Sequence, residues 1–188
     1  MIGAYLKERF APVVFVPLAV AIALIAAGGR YGIAMIVTDA LAALLLLAEL
    51  RLWDDLADRH TDRSIHPDRV VVQSRTIRPL VLLCAALAIV NLGWSVVRDG
   101  SSISVAVLIV MHAALGTWYV RREGRTFAGD QLLLAKYPAF VFIVAGARLA
   151  EMPVTITLLA AALYVAVSAY EAWHDPVSPL GFLLGGRS

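Results

Sequence analysis

Six runs of about twenty predominantly apolar residues constrain the fold of this chain more than any other feature of its sequence. They cover residues 11–29, 31–53, 79–97, 102–120, 131–150 and 153–174. About twenty residues of α-helix cross about 30 Å of hydrocarbon, so each run predicts one membrane-spanning helix. With 61% hydrophobic and 16% charged residues, the composition is also too apolar for a soluble domain. We predict an all-α bundle of about six transmembrane helices, forming a single domain over residues 1–188.

The ends of the predicted helices carry unequal numbers of basic residues. One side collects Lys7, Arg9, Arg51, Arg59, Arg63, Arg69, Arg75, Arg78, Arg121, Arg122, Arg125 and Arg187. The other side has Arg30, Arg98 and Arg148. The positive-inside rule predicts that the basic side and both termini are cytoplasmic, in a bacterial inner membrane or its equivalent. The first run is too long for the apolar region of a signal peptide and is expected to be a span. We expect contacts with membrane lipid and no nucleic-acid partner.

Acidic residues recur at a regular spacing where the second predicted helix leaves the membrane. Asp54, Asp58 and Asp62 are four residues apart, so a helix places their carboxylates on one stripe, about 6 Å from turn to turn. Like charges in such a stripe repel one another, and a divalent ion such as Mg²⁺ would relieve the repulsion. The alternative is a solvated interfacial helix with ion pairs between neighbouring turns, for instance Asp55 with Arg59.

Four segments resemble motifs of the UbiA superfamily of intramembrane prenyltransferases. The pattern R-x-x-D-D-x-x-D-x-x-x-D over residues 51–62 is similar to the first aspartate-rich motif of that family. The pattern R-T-I-R-P-L over residues 75–80 resembles the family's R-T-x-x-R-P-L, and W-Y-V-R-R over residues 118–122 resembles its Y-x-x-K-R region. Glu171 and Asp175 take the places of the second motif, D-x-x-x-D, on the sixth helix.

This resemblance implies a UbiA-like fold and a Mg²⁺-dependent transfer of an isoprenyl group from a prenyl diphosphate to a lipophilic acceptor. The resemblance leaves the identity of the acceptor open, including whether it is aromatic, because quinone precursors, tetrapyrroles, sugars and glycerol phosphates all serve within the family. The implied Mg²⁺ ligands are Asp54, Asp55, Asp58, Asp62, Glu171 and Asp175. The implied contacts to the donor's diphosphate are Arg51, Arg78, Arg121, Arg122 and Lys136. For Lys136, the alternative is snorkelling to the interface.

Three further residues are candidates for the catalytic chemistry. Asp39 and His112 are polar residues placed near mid-bilayer, and we predict that they share a hydrogen bond that orients the acceptor or removes its proton. A purely structural contact between helices is the alternative. Tyr164 shares a helix face with Glu171 and Asp175 and is the first candidate to stabilise an allylic cation. The other aromatic candidates are Trp94, Tyr119, Tyr137 and Tyr170.

The family usually has nine helices, whereas this sequence predicts about six. A homodimer, a partner subunit or a more open site are the three ways in which the chain could do without the missing helices. Two other functions remain open: a non-catalytic UbiA-like subunit that binds lipid or assists assembly, and a membrane terpene cyclase. The sequence lacks the D-x-x-D-G-x-x-A-R pattern of CDP-alcohol phosphotransferases.

Overall fold

The computed structural model describes residues 1–30, 32–99, 102–122, 124 and 126–175. Within these ranges every regular element is helical, which confirms the predicted all-α class. The helices are α1 (Ile2–Arg9), α2 (Pro12–Ala27), α3 (Ile33–Ile65), α4 (Val70–Gln73), α5 (Arg78–Asp99), α6 (Ser102–Arg121), α7 (Phe127–Leu134), α8 (Lys136–Ala145), α9 (Ala147–Glu151) and α10 (Pro153–His174).

Five helical segments are long and apolar enough to cross a membrane: α3, α5, α6, α10 and the consecutive helices α7 and α8. Helices α1 and α2 meet the same criteria only together, as a pair bent by 73°, and they add a sixth crossing if this bent pair is one span. These segments correspond to the six predicted runs, and the chain is a multi-pass membrane protein. Because successive crossings alternate in direction, the ends of α3, α6 and α10 lie with the starts of α2, α5 and α7.

Helix α3 continues well beyond the apolar run in which it begins. It has 33 residues, and at about 1.5 Å per residue it is about 50 Å long. Neither glycine nor proline interrupts it, and it ends at Ile65, two residues before Pro67. The prediction that the second span extends past Trp53 is therefore confirmed, and the extension carries the aspartates to one end of the bundle.

The fifth crossing differs from the predicted run at residues 131–150. It consists of α7 and α8, which meet at Ala135, and it ends at Ala145. Pro138 lies in the first turn of α8 and has no N–H to donate to the preceding turn, which explains why the break precedes it. Gly146 adopts φ +56°, a conformation that favours glycine, and separates α8 from the short helix α9.

Small side chains allow α2 and α3 to pack closely at the centre of the bundle. Ala19, Ala26, Ala42 and Ala43 are buried in the main core, which also receives side chains from α6, α8 and α10. Without a hydrophobic driving force in lipid, close backbone approach at small residues is a main source of helix association. Helix α3 thus lies in the middle of the bundle, with neighbours on several sides.

A second apolar cluster fastens the N-terminal helix to the bundle. Tyr5 of α1, Leu52 of α3, Val71 of α4 and Leu80 of α5 are all buried in it. The cluster lies beside the acidic part of α3, so it fixes α1 and α4 next to the aspartates.

The start of α7 packs tightly against the end of α6. Thr126 accepts a hydrogen bond from the backbone N–H of Gly129 at 3.1 Å and caps α7. A Cβ atom added at Gly129 would lie 1.9 Å from Cζ2 of Trp118, so only glycine leaves room for the indole.

We predict that Gly129→Ala lowers the free energy of unfolding by about 1–3 kcal/mol, because the added methyl group must displace the Trp118 ring or the α7 backbone. The measurement is the thermal unfolding of the purified protein in nanodiscs. Gly93→Ala is the matched control, since a Cβ atom at Gly93 of α5 meets nothing within 4 Å. Equal stability of the two variants would contradict the packing argument.

Candidate functional site

An open cavity of about 500 Å³ lies where α3, α6 and α10 end and α7 and α8 begin. Ligand sites in proteins commonly have volumes of about 300–1,000 Å³. The carboxylates that line this cavity are Asp54, Asp55, Asp58, Asp62, Asp130, Glu171 and Asp175. The basic residues that line it are Arg9, Arg51, Arg69, Arg122 and Lys136. We call it the acidic cavity.

The structure brings all six predicted metal ligands to this one cavity. Glu171 lies in the last turn of α10 and Asp175 follows the end of that helix. Among the described lining residues, the seven carboxylates outnumber the five basic groups, which leaves an excess of two formal negative charges. Such a balance favours a cation, or an anion that arrives with a cation.

Each aspartate of the stripe has a basic partner from another part of the chain. Lys136 of α8 and the hydroxyl of Tyr119 donate to Asp54. Arg122 donates to Asp58 at 2.5 Å. Arg69, in the loop before α4, donates to Asp62. Tertiary ion pairs therefore relieve the repulsion that we expected a metal ion to relieve.

The carboxylates of the stripe differ in exposure. The side chain of Asp58 is 42% exposed, against 16% for Asp54 and 7% for Asp62. Asp58 lies in the extension of α3 beyond its apolar part, where burial raises the pKa of its carboxyl and the charge of Arg122 opposes that rise. Asp58 is thus the carboxylate of the stripe that a ligand can reach most easily.

Asp55 points to α1 and does not pair with Arg59, the partner considered in the sequence. Arg9 donates to both of its carboxylate oxygens, and Tyr5 donates to one of them at 2.9 Å. Arg59 donates to the carbonyls of Val71 and Ser74 and so holds the loop after α3. Asp55 follows Asp54 by one residue, and the helical turn of about 100° directs it to a different neighbour.

Mg²⁺ bound in the acidic cavity would take only part of its ligands from the protein. Among the described residues, no three Asp, Glu, His or Cys side chains form a group that could hold a metal ion. Mg²⁺ usually binds one or two carboxylates and completes its octahedron with water and phosphate oxygens. Carboxylates that reach one cavity from two helices, α3 and α10, suit that mode of binding.

The predicted diphosphate contacts divide into two groups. Arg51, Arg122 and Lys136 line the acidic cavity, whereas Arg78 and Arg121 are exposed and do not line it. Arg121 and Arg122 are neighbours in sequence at the end of α6. Successive residues of a helix are about 100° apart around its axis, so the two side chains point in different directions. Snorkelling does not describe Lys136, because its side chain is 12% exposed and it binds Asp54.

The aromatic residues that line the cavity do not include Tyr164, the first candidate from the sequence. The hydroxyl of Tyr164 donates to Gln131 of α7, and Tyr164 does not line the cavity. Trp118, Tyr119 and Tyr137 line it instead. Helical spacing placed Tyr164 on the same face as Glu171, but the packing of α10 against α7 covers that part of the face.

The predicted hydrogen bond between Asp39 and His112 is wrong. Asp39 is buried and binds Arg98 and Arg148, the latter at 2.7 Å. His112 binds Glu49, which follows Asp39 by ten residues and therefore lies about 15 Å further along α3. Long arginine side chains at the ends of neighbouring helices reach Asp39, whereas the imidazole of His112 cannot.

The hydrogen bonds of His112 indicate a structural role. Its Nδ1 lies 2.8 Å from the carbonyl of Leu108, which only accepts, so Nδ1 carries a proton. Its Nε2 and Oε1 of Glu49, 2.6 Å apart, then share one further proton. Asn91 donates to the other oxygen of Glu49 at 2.6 Å. The pair is neutral whichever atom holds the shared proton, and this suits a cross-link between α3, α5 and α6 inside lipid.

Sequence reasoning missed several residues of these polar clusters. Glu49 is an acidic residue in an apolar run, and that alone could have marked it as needing a partner. Asp130 and Arg9 flank membrane spans at the basic side. Many other charged residues do so too, and position in the sequence therefore does not single these two out. Arg69 lies in a loop, and no spacing rule connects it with Asp62.

Comparisons of the chain with protein-family models, with characterised proteins and with solved structures gave no match.

We predict that Asp39→Leu destabilises the protein by about 3–5 kcal/mol, because it leaves the charges of Arg98 and Arg148 without their shared buried carboxylate. The measurement is thermal or denaturant-induced unfolding in nanodiscs. The control is Glu151→Leu, which removes an ion pair whose side chains, Arg30 and Glu151, are 59% and 50% exposed. This control should lose at most about 1 kcal/mol. A loss at Asp39 no larger than that of the control would refute the argument.

Proposed function

We propose that this chain is a Mg²⁺-dependent intramembrane prenyltransferase with a UbiA-like fold. It transfers an isoprenyl group from a prenyl diphosphate to a lipophilic acceptor. The observation that carries the proposal is the acidic cavity, where both acidic motifs meet Arg51, Arg122 and Lys136 at one end of a transmembrane bundle. A polar headgroup can enter such a cavity while its apolar chain stays in the membrane.

The charges of the cavity suit a diphosphate that arrives with Mg²⁺. Carboxylates alone would repel a diphosphate, and basic residues alone would have no use for a metal ion. Asp58 and Glu171, from the two acidic motifs, are the residues that would hold Mg²⁺ together with phosphate oxygens. When bound, Mg²⁺ neutralises negative charge that develops on the departing diphosphate.

Two donor groups at the cavity also lack partners among the residues that the structure describes. Nε of Arg51 and Nε1 of Trp118 are buried and make no hydrogen bond with the described residues. Unsatisfied buried donors are uncommon in proteins, and phosphate oxygens are suitable acceptors for them. Small shifts of these side chains on binding would complete both bonds.

The chemical step begins with cleavage of the allylic C–O bond, whose electron pair leaves with the diphosphate. Arg122 and Lys136 would hold that diphosphate, and Tyr119 and Tyr137, which line the same cavity, would stabilise the carbon that becomes positive. A nucleophilic atom of the acceptor then bonds to this carbon and loses a proton. That proton passes to solvent in the open cavity.

We place the acidic cavity on the cytoplasmic side of a bacterial inner membrane or an equivalent membrane, with both termini on that side. The basic residues of the loops around the cavity support this orientation through the positive-inside rule. A second copy of the chain or a partner subunit would cover the lipid-facing surface that three further helices cover in the larger family members.

We predict that the protein in nanodiscs, given Mg²⁺ and geranylgeranyl diphosphate, releases pyrophosphate and forms prenylated lipid. Asp58→Asn should reduce the rate at least about a hundredfold, since it removes an accessible carboxylate that acts on developing charge. Pyrophosphate release and mass spectrometry of the lipids are the measurements. Asp68→Asn is the matched control, because Asp68 is exposed, follows α3 and does not line the cavity.

One observation favours a second function, that of a non-catalytic subunit that binds prenyl lipid or assists assembly. Every aspartate of the first motif is already paired with a basic residue of the chain. Mg²⁺-dependent binding of the diphosphate without its release, across several acceptors, would establish this second function. Release with a cyclic hydrocarbon as product would identify a terpene cyclase.

A further inference from the structure

The N-terminal helix α1 brings a guanidinium group to the acidic cavity that the family resemblance does not supply. Arg9, the last residue of α1, lines the cavity, and its side chain is 17% exposed. Its Nε and Nη2 donate to Oδ2 and Oδ1 of Asp55, at 3.0 and 2.8 Å. This two-point contact fixes the plane of the guanidinium as well as its position.

Asp55 does not fit the role of a metal ligand that its position in the motif implies. Besides Arg9, it accepts a hydrogen bond from Tyr5 at 2.9 Å and lies 3.4 Å from Nη2 of Arg51. Its side chain is 4% exposed. A metal ion would have to displace these partners, whereas Asp58 of the same motif is accessible.

Arg9 keeps hydrogen-bonding capacity for a ligand. A guanidinium has five N–H donors, and Asp55 takes one from Nε and one from Nη2. Nη1 donates to none of the described residues. An arginine held by a carboxylate on one edge and open on another can bind phosphate oxygens with little loss of side-chain entropy.

We propose that Arg9 is a further contact to the phosphate groups of the ligand in the acidic cavity, and that Asp55 is the residue that positions it. This inference rests on the proposed function, because it specifies how the same cavity binds a diphosphate. The N-terminal helix is thereby part of the binding site.

Two other contacts keep α1 in the required place. The carboxylate of Glu8 accepts a hydrogen bond from the backbone N–H of Val70 at 2.9 Å, which ties α1 to the start of α4. The ring of Tyr5 is buried in the cluster with Leu52, Val71 and Leu80. Helix α1 is therefore docked by apolar and polar contacts independent of Arg9, and a change at Arg9 should leave it in place.

The test measures binding of inorganic pyrophosphate, in the presence of Mg²⁺, to the full chain in nanodiscs by calorimetry. Arg9→Gln should weaken binding about ten- to a hundredfold, as expected for the loss of a charged hydrogen-bond donor. Lys7→Gln removes the same charge from an exposed position on α1 that does not line the cavity, and it should bind as the wild type does. Equal affinities of the two variants would overturn the inference.

The role of Asp55 is tested by Mg²⁺ titrations and a double-mutant cycle. If Asp55 acts through Arg9, Asp55→Asn weakens pyrophosphate binding, adds little to Arg9→Gln, and leaves the Mg²⁺ midpoint unchanged. If it binds the metal, Asp55→Asn raises the Mg²⁺ midpoint, Arg9→Gln does not, and the two effects add. That second outcome would overturn the positioning role.

Two further measurements separate this inference from its alternatives. Hydrogen exchange of α1 in Arg9→Gln reports whether the helix stays docked. If α1 does not stay docked in Arg9→Gln, the variant Arg9→Lys is measured instead, because it keeps the charge but not the two-point contact. This variant should bind pyrophosphate more weakly than the wild type. Wild-type affinity of Arg9→Lys would overturn the inference. Failure of the wild type to bind pyrophosphate would overturn the proposed function itself, whereas wild-type binding with no effect at Arg9 overturns only the role of Arg9.

Discussion

The cost of placing carboxylates in and beside a membrane governs the construction of this protein. Helix α3 carries Asp39, Glu49 and the acidic motif from one end of the bundle to the other, and each of these acids needs a partner. The partners come from nearly every element around α3. Asp39 binds Arg98 of α5 and Arg148 of α9, and Glu49 binds Asn91 of α5 and His112 of α6. The packing of the helices therefore also places polar and basic partners around the acids of one helix, α3.

The same kind of pairing lines the acidic cavity, the candidate binding site, where α3 leaves the apolar region. Inside the bundle the acids are fully enclosed and their pairs act as cross-links between helices. Beyond Trp53 the neighbouring helices end, the space widens into the acidic cavity, and the pairs line a wall that a ligand can reach. Ion pairs at such a wall can exchange partners, because an incoming cation competes for the carboxylates and an incoming anion for the basic groups. The ligand that we propose, a prenyl diphosphate accompanied by Mg²⁺, would offer both.

Within the first acidic motif, the four aspartates have different surroundings although the sequence presents them as equivalents. Asp58 is the most accessible, Asp54 is held by Lys136 and Tyr119, and Asp55 is enclosed by α1. The division of roles follows from the neighbours that each carboxylate meets. A motif read from sequence specifies which side chains are present, and the packing decides which of them a ligand can use.

The sequence by itself determined the helical class, the membrane crossings and the end of the bundle where the acids gather. These properties depend on runs of apolar residues and on spacing along one helix, both of which are local. It could also place Glu171 and Asp175 on the same side as Asp58, because the number of crossings fixes the side. Only the tertiary structure decided which residues pair with Asp39 and His112. It also decided that Tyr164 lies outside the acidic cavity and that Arg9 and Arg69 line it. Those outcomes depend on which faces of different helices meet, and many pairings of faces are compatible with the same hydrophobic pattern.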